Sequence, residues 1–316
     1  MGDRLLGIDF SGAADQWKAG RRKSNVWIAF GRGEGAALRL DDLRPVQALE
    51  GEGAPFDRLS LLLARTQGFA GIDAPFSVPR EQAASAVMLW AEVAHLPRGT
   101  RPFGKGGDLV ALLHPRAGPY GEKLYRACEN VWRERGRLNV RSTLWCGPRG
   151  GAAFAAAAMT LLHGHKGPVW PVKATGEGAT LVEAYPAAQL SNWGLSPIGY
   201  NGAKPKAAEA RRIIVEALTR DHGLEASEDN LDLCRAKADA LDAVLCAYAA
   251  KAISEGRYPR RLPAVARSEG WIVVDESARA DAAAPLLGAA AEHRIRQLFD
   301  AVREALEDED EVETLP

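Results

Sequence analysis

The chain has 316 residues, with 40 Lys and Arg against 41 Asp and Glu, which leaves a formal net charge of −1. Hydrophobic residues make up 47% and charged residues 26% of the sequence, a composition that is typical of soluble globular proteins. The balanced charge also excludes a protein that is basic over its whole surface, but it leaves room for a local basic groove.

No segment of the sequence predicts a membrane or secretory protein. The longest uncharged apolar stretch, residues 152–162, has eleven residues, whereas a membrane-spanning helix needs about 20. The first residues carry neither a secretory signal nor a myristoylation motif. The four cysteines form no C-x-x-C pair and fit neither a disulfide framework nor a zinc ribbon. We therefore expect a cytoplasmic protein without a membrane partner.

Residues 1–79 predict the N-terminal part of an α/β core, with the element order β-β-β-α-β. Three short apolar runs separated by Gly-containing links favour an antiparallel meander. These runs cover residues 5–10, 25–30 and 37–40. A helix is predicted from Pro55, because the leucines that follow would share one face. The apolar segment 69–76 predicts a fourth strand, which we expect to return parallel beside the first.

Residues 80–170 predict a large helical insertion into this core. They contain a loop rich in Gly, Pro and Arg, together with three helical patterns, at residues 81–95, 120–135 and 152–162. The core is expected to resume over residues 171–306, with a strand at 180–185 and an extended segment at 271–274. Three further helices are predicted, at residues 205–219, 237–254 and 286–306. Residues 307–316 predict a solvated acidic tail.

Acidic residues lie at the ends of two predicted strands. The first and fourth strands both end in Gly-Ile-Asp, at Asp9 and Asp73. If these strands are parallel neighbours, the two carboxylates converge at the same edge of the sheet. Glu183 lies inside the next apolar strand, where burying an acid without a partner is costly.

Two further acids, Asp239 and Asp242, lie three residues apart on a predicted helix that is otherwise apolar. This spacing places them on one face, where like charges destabilise the helix unless a cation binds between them or a pKa rises. With Asp9 and Asp73 they would form an all-oxygen cluster, which suits Mg²⁺ or Mn²⁺ rather than zinc. Two such ions about 3.5–4 Å apart can clamp the attacking and leaving oxygens of a phosphodiester.

Structural alternatives stay open for these acids. For Asp9 and Asp73 the alternative is a turn cap, since Asp often caps turns. For Glu183 it is a buried ion pair with an arginine such as Arg211. The apolar surroundings of the paired acids on the late helix favour a functional role for that pair.

Residues 98–149 form a locally basic segment within the predicted insertion. Eleven Lys and Arg stand against four acids there, and five aromatic residues are interleaved with them. Such a segment suits phosphate contacts, with aromatic rings as platforms for bases. The predicted nucleic-acid-binding residues are Arg98, Arg101, Lys105, Arg126, Arg133, Arg137 and Arg141. The alternative is a helix with a solvated charged face and aromatic contacts to the core.

Five motifs follow one another along the chain. They are Gly-Ile-Asp-Phe-Ser at 7–11, Gly-Ile-Asp-Ala-Pro-Phe-Ser-Val-Pro at 71–79, Val-Glu-Ala-Tyr-Pro at 182–186, Asp-Ala-Leu-Asp-Ala at 239–243 and Glu-Gly-Trp-Ile-Val-Val at 269–274. This ordered set resembles DUF429, a bacterial and archaeal family of unknown function whose members are regarded as predicted nucleases of the ribonuclease H-like superfamily. The resemblance leaves out the basic insertion and the acidic tail.

This resemblance implies a five-stranded mixed sheet flanked by helices, with metal-binding acids on strands one and four and on a late helix. By that resemblance Asp9, Asp73 and one or both of Asp239 and Asp242 would be the metal ligands. The arrangement of Asp239 and Asp242 resembles the late helix of the Holliday-junction resolvase branch of this superfamily. The sequence departs from that branch in two ways. The second acid is Asp where that branch has Glu, and Glu183 has no standard catalytic counterpart there.

The leading hypothesis is therefore a Mg²⁺- or Mn²⁺-dependent phosphodiesterase that acts on nucleic acid, either DNA or RNA. Asp9 would bridge two metals, with Asp73 and Asp242 holding one each. Asp239 or Glu183 would be a supporting ligand or would orient the attacking water. One alternative is a phosphotransferase of the actin or sugar-kinase type, whose first phosphate strand also reads like Gly-Ile-Asp. The other is a nucleic-acid-binding protein that keeps the fold without turnover.

Overall fold

Seven β-strands form a single mixed sheet in the computed structural model, which describes residues 2–135, 138–258 and 262–276. The strands are β1 (Arg4–Asp9), β2 (Trp27–Glu34), β3 (Ala37–Pro45), β4 (Phe69–Ile72), β5 (Val169–Trp170), β6 (Thr180–Glu183) and β7 (Leu224–Ala226). Their order across the sheet is β5-β6-β4-β1-β2-β3-β7.

The sheet is centred on β1, which pairs antiparallel with β2 and parallel with β4. Strand β2 continues antiparallel into β3, and β4 pairs parallel with β6. The predicted meander and the predicted parallel return of the fourth strand are both confirmed. Asp9 and Asp73 therefore follow adjacent parallel strands, and the Asp73 amide donates a hydrogen bond of 2.9 Å to the Ile8 carbonyl.

The mixed α/β class agrees with the prediction, but the sheet has seven strands in the described part of the chain rather than five. The two additional strands are β5 and β7, which have two and three residues. Such short segments carry too few alternating residues to be recognised in a sequence. They are strands because they pair at the two edges, β5 with β6 and β7 with β3.

Ten α-helices accompany the sheet in the described residues. They are α1 (Pro55–Arg65), α2 (Ala86–Ala94), α3 (Gly106–Leu113), α4 (Ala127–Arg135), α5 (Ala152–Gly164), α6 (Pro186–Asn192), α7 (Pro205–Asp221), α8 (Glu228–Ala236), α9 (Ala238–Ser254) and α10 (Ala266–Glu269). None of these helices combines the length and the hydropathy that a membrane crossing requires.

Several predicted helix boundaries differ from the structure. The helix predicted from residue 120 begins only at Ala127, because the preceding residues form a loop in which Gly121 makes a β-bridge with Trp145. Helix α3 lies where a loop was predicted, and α8 was not predicted. The predicted helix at 286–306 and the acidic tail at 307–316 lie outside the described residues.

The sheet buries apolar side chains on both of its faces. Leu6 and Ile8 of β1 belong to one core, which includes side chains of α1, α2 and α5. Leu5 belongs to the other core, which includes side chains of α7, α8 and α9. Side chains alternate along a strand, so Asp9 lies on the same face as Leu5, towards α9.

The predicted insertion, residues 80–170, packs with the core. All of the described residues fall into one compact unit. The strongest link is α5, whose buried alanines, Met159 and leucines pack in the same apolar core as Leu6 and Ile8 of the central strand. The insertion is therefore built onto the sheet rather than connected by a linker.

Candidate functional site

Two glycines bring α9 into backbone contact with the centre of the sheet. A Cβ atom at Gly7 would lie 2.0 Å from the carbonyl oxygen of Ala243, and one at Gly71 would lie 2.0 Å from that of Cys246. A methyl group cannot occupy such a space, so only glycine lets α9 lie this close. Each glycine precedes a predicted site aspartate by two positions. Both aspartates are therefore positioned where α9 crosses the strand ends.

Four of the predicted acids come together at this crossing and are called the acid cluster: Asp9, Asp73, Asp239 and Asp242. Asp9 is 9% exposed, and burial, followed by the charges of the other three acids, raises its pKa well above the ordinary value. Burial and then the charge of Asp73 raise the pKa of Asp242 in the same way. Burial raises the pKa of Asp73 to about 7, and it also raises that of Asp239. The cluster therefore holds more negative charge than its surroundings stabilise.

Tyr200, in the loop between α6 and α7, orients one acid of the cluster. Its hydroxyl donates a hydrogen bond of 2.8 Å to Oδ1 of Asp242, which lowers the pKa of Asp242 against the effect of burial. The Arg211 guanidinium holds this loop by donating to the carbonyl oxygens of Tyr200 at 2.5 Å and Gly202 at 3.0 Å. It also donates to the carbonyl of Arg235 at 2.7 Å. Arg211 thus ties the Tyr200 loop to the end of α8, just before α9 begins.

Glu183 is bound to Arg126. The Arg126 guanidinium donates to Oε1 of Glu183 at 2.5 Å and to Oε2 at 2.7 Å, and the Phe76 amide donates to Oε2 at 3.1 Å. Arg126 also donates to Oε1 of Glu129 at 3.0 Å. The alternative of a buried ion pair therefore describes Glu183, but the suggested partner Arg211 is wrong. A metal-ligand role for Glu183 would require breaking this pair.

The ion pair with Glu183 lies in the interior, so Arg126 is not part of the predicted nucleic-acid surface. Its side chain is 1% exposed, which contradicts the predicted contact with nucleic acid. The other predicted basic residues that the structure describes are exposed or half-buried: Arg98, Arg101, Lys105, Arg133 and Arg141. Arg137 lies outside the described residues.

Arg141 is the predicted basic residue that lies beside the acid cluster. Its charge lowers the pKa of both Asp9 and Asp73, against the larger effect of burial. Its guanidinium carbon lies 5.0 Å from the centroid of the Phe154 ring, in the first turn of α5. That turn packs on Gly12, where a Cβ atom would lie 2.5 Å from the Phe154 amide nitrogen. The insertion thus reaches the end of β1 through α5 and places a guanidinium near the acids.

The donor chemistry of the acid cluster fits a hard divalent cation. All of its donors are carboxylate oxygens, and a bound dication would relieve the repulsion that raises their pKa values. Within the described ranges, no three His, Cys, Asp or Glu side chains are arranged to hold a metal by themselves. Mg²⁺ is commonly held by one or two carboxylates, with water and substrate phosphate oxygens completing its shell. The cluster therefore fits Mg²⁺ or Mn²⁺ bound together with substrate.

Comparisons with known proteins give a family but no activity. No curated protein and no solved structure matches the chain. The model of the family described as "Protein of unknown function (DUF429)" matches residues 7–268, which is well over half of the chain. This range includes the basic insertion, whereas the motifs that resemble the family lie outside the insertion. The chain therefore belongs to the DUF429 family of proteins of unknown function.

Proposed function

We propose that the protein is a divalent-metal-dependent phosphodiester hydrolase, a nuclease that acts on nucleic acid by a two-metal mechanism. The observation that carries this proposal is the acid cluster. Burial raises the pKa values of its carboxyl groups, which lie at the ends of β1 and β4 and on α9, and the Arg141 guanidinium lies beside them. Carboxylates in this state attract a cation, and a guanidinium attracts the phosphate that a cation would share.

The strand order supports the same proposal. The five central strands run β6-β4-β1-β2-β3, and the acids lie at the ends of β1 and β4 and on the late helix α9. The resemblance to the ribonuclease H-like superfamily implies this placement for metal-binding acids. Because the family itself names no activity, the residues of the cluster carry the functional proposal.

Each residue of the site has a proposed part. Asp9, whose pKa responds to the other three acids, would be the shared metal ligand, with Asp73 and Asp242 as the outer ligands. When bound, the divalent cations would polarise the phosphate and the attacking water. Arg141 would hold a non-bridging phosphate oxygen. Asp239, almost one helical turn before Asp242, would accept a hydrogen bond from the water and orient it.

Calorimetric titration with Mn²⁺, on wild type and Asp9→Asn, tests this proposal. We expect the wild type to bind Mn²⁺ and to cleave at least one member of a panel of single-stranded and duplex DNA and RNA in the presence of metal. Asp9→Asn should lose both properties. Asp229→Asn is a matched control, because Asp229 is an exposed acid in the first turn of α8. It should bind and cleave like the wild type.

The outcomes separate the alternatives. Metal binding without cleavage of any nucleic acid would redirect the proposal to small phosphate esters. Absence of Mn²⁺ binding, both alone and with an oligonucleotide present, would contradict the metal site. Salt-sensitive binding of nucleic acid that Asp9→Asn leaves unchanged would then favour a binding protein without turnover.

A further inference from the structure

A basic cleft lies in the insertion, next to the acid cluster. It has a volume of about 230 Å³, and its walls include Lys123, Tyr125, Arg141, Trp145 and Arg149. Arg141 lines this cleft, and its guanidinium carbon lies 5.0 Å from the centroid of the Phe154 ring, in the turn of α5 that packs on Gly12, three residues after Asp9. The two sites are therefore neighbours that share one guanidinium.

Three cations line the basic cleft, and in the described part of the chain none of them forms an ion pair with a carboxylate. Arg141 acts on the acid cluster only at a longer range than that of an ion pair. The ion pairs formed there do not include Lys123, Arg141 or Arg149. Unpaired cations that face one concave surface repel one another and concentrate a positive potential within it. A bound anion would offset this repulsion, as a cation would offset that of the acid cluster.

Lys123 lies over an aromatic ring of the cleft, and Arg149 lies in a strained turn that lines it. Nζ of Lys123 lies 5.3 Å from the centroid of the Trp145 ring. Arg149 has a φ of 57°, in the left-handed region that residues other than glycine rarely adopt. It lies in a turn in which the Gly150 amide donates a hydrogen bond of 2.9 Å to the Gly147 carbonyl. Strained residues of this kind are concentrated at ligand sites, where the surrounding structure maintains them.

Phosphate is the anion that suits this arrangement. Guanidinium groups present paired N–H donors that match phosphate oxygens, and a lysine adds a point charge. Arg141 lies between the basic cleft and the acid cluster. A substrate with two successive phosphates would place one phosphate at the acids and the next one in the cleft.

We propose that the basic cleft binds a second phosphate of the substrate, next to the phosphate placed at the acid cluster, with Lys123 and Arg149 as its ligands and Arg141 between the two phosphates. The substrate is then an oligonucleotide or another ester with at least two successive phosphates, and a simple phosphomonoester is a poor substrate. The identity of this phosphate as part of the substrate rests on the proposed function, whereas the binding of phosphate in the cleft does not.

The first test measures binding without metal. A fluorescein-labelled single-stranded hexathymidylate is titrated with protein in EDTA, and its fluorescence anisotropy is followed at several salt concentrations. Lys123→Gln/Arg149→Asn removes two charges, and Asn tolerates the left-handed backbone at residue 149. We expect this variant to bind about tenfold more weakly, with a salt slope that is smaller by about 0.7, as for one lost phosphate contact. Unchanged affinity would overturn the proposal.

The matched control is Arg116→Gln, which removes an exposed charge of the same insertion outside the cleft. It should bind the hexamer like the wild type. An equal loss of binding free energy per charge removed, in Arg116→Gln and in Lys123→Gln/Arg149→Asn, would mean that only the general charge of the insertion matters, and it would also overturn the proposal. Circular dichroism and urea unfolding of all three proteins verify that they fold alike.

The second test compares small ligands in the presence of Mn²⁺. Thymidine 3′,5′-bisphosphate should displace the hexamer about tenfold more effectively than thymidine 5′-monophosphate or inorganic phosphate. Equal displacement by all three would contradict a site for two successive phosphates. The advantage of the bisphosphate should disappear in Lys123→Gln/Arg149→Asn, because its cleft no longer holds the second phosphate.

Failure of this inference and failure of the proposed function give different results. Cleavage that depends on Asp9, combined with unchanged binding and KM in Lys123→Gln/Arg149→Asn, would refute the basic cleft alone. Binding in EDTA that this variant weakens, combined with no metal-dependent cleavage by wild type, would refute the nuclease and retain the cleft. In EDTA, Asp9→Asn should bind the hexamer at least as well as wild type, because the substitution adds no negative charge to the acid cluster.

Discussion

Gly7 and Ala243 are in direct backbone contact, with no room for a methyl group between β1 and α9. Asp242 immediately precedes Ala243, so this contact determines how close its carboxylate comes to the end of β1. The position of an acidic side chain thus depends on a residue of another element that has no side chain.

Gly7→Ala should destabilise the protein, because its Cβ would overlap the Ala243 carbonyl and force α9 away from the sheet. We expect a loss of about 1–3 kcal/mol or more in the free energy of unfolding, measured by urea denaturation. The control is Gly20→Ala, whose Cβ would have no atom within 4 Å and which should change stability by no more than about 0.5 kcal/mol. Equal stability of the two variants would show that α9 does not lie this close to β1.

Tyr200→Phe should shift metal binding to higher pH. The Tyr200 hydroxyl stabilises the ionised form of Asp242, so its loss raises the pKa of that carboxyl further. Mn²⁺ competes with protons for the carboxylates, so the midpoint of Mn²⁺ binding against pH should rise in Tyr200→Phe. Calorimetric titrations across a pH series measure this shift. A midpoint that stays the same or falls would exclude a role for Tyr200 in tuning Asp242.

The metal-free protein should lose stability as pH rises from about 4 to about 7. Burial raises the pKa of Asp73 to about 7 in the folded state, against its ordinary value of 3.8, so the folded state holds the proton more tightly. A raised carboxyl pKa contributes stability at low pH that is lost through this window, here of the order of a few kcal/mol. Thermal unfolding in EDTA at a series of pH values measures the loss.

Asp73→Asn should reduce this pH dependence by the share of Asp73 and stabilise the metal-free protein above about pH 7, since the amide carries no charge to bury. The raised pKa values of the other acids of the cluster maintain the remainder. Asp229→Asn, at an exposed position, should keep the wild-type dependence. The raised pKa of Asp73 would be contradicted if the stability of wild type rose over the same window and Asp73→Asn followed it.

Arg126→Met should destabilise the protein strongly, because Glu183 and Glu129 would lose their buried counter-charge. Removing one partner from a buried ion pair typically costs about 3–5 kcal/mol, measurable by urea denaturation. Arg212→Met is the control, because Arg212 forms exposed ion pairs along α7, which contribute about 1 kcal/mol or less.

A substitution of Glu183 itself distinguishes a structural role of this residue from a role as a metal ligand. Glu183→Gln should lower stability and leave Mn²⁺ affinity close to that of wild type, because both carboxylate oxygens of Glu183 already accept hydrogen bonds. A loss of Mn²⁺ affinity as large as that of Asp9→Asn would instead make Glu183 a metal ligand.

The repeated Gly-Ile-Asp pattern predicts where the acids lie but not why the glycines are there. Alternation and strand order were enough to expect Asp9 and Asp73 at one sheet edge. The function of Gly7 and Gly71 depends on which helix crosses the strands and how closely. That information belongs to tertiary packing and leaves no periodic signal in the sequence.

The contacts of the Tyr200 and Arg126 side chains could not be predicted from the sequence either. Tyr200 lies in a loop without regular spacing, so nothing in the sequence connects it with Asp242, 42 residues away. Arg126 lies in a basic segment, and a count of charges treats every arginine there as exposed. Its partner Glu183 is 57 residues away, and only the tertiary structure brings the residue before α4 to the end of β6.

Arg141 connects the insertion with the pKa values of two acids in the core. It belongs to the insertion, yet its charge lowers the pKa of Asp9 and Asp73 in the core. Neutralising Arg141 would remove that charge, and both carboxyl groups would then take up protons more readily. A residue of the insertion thus helps to set the pH range over which two acids of the core can bind a cation.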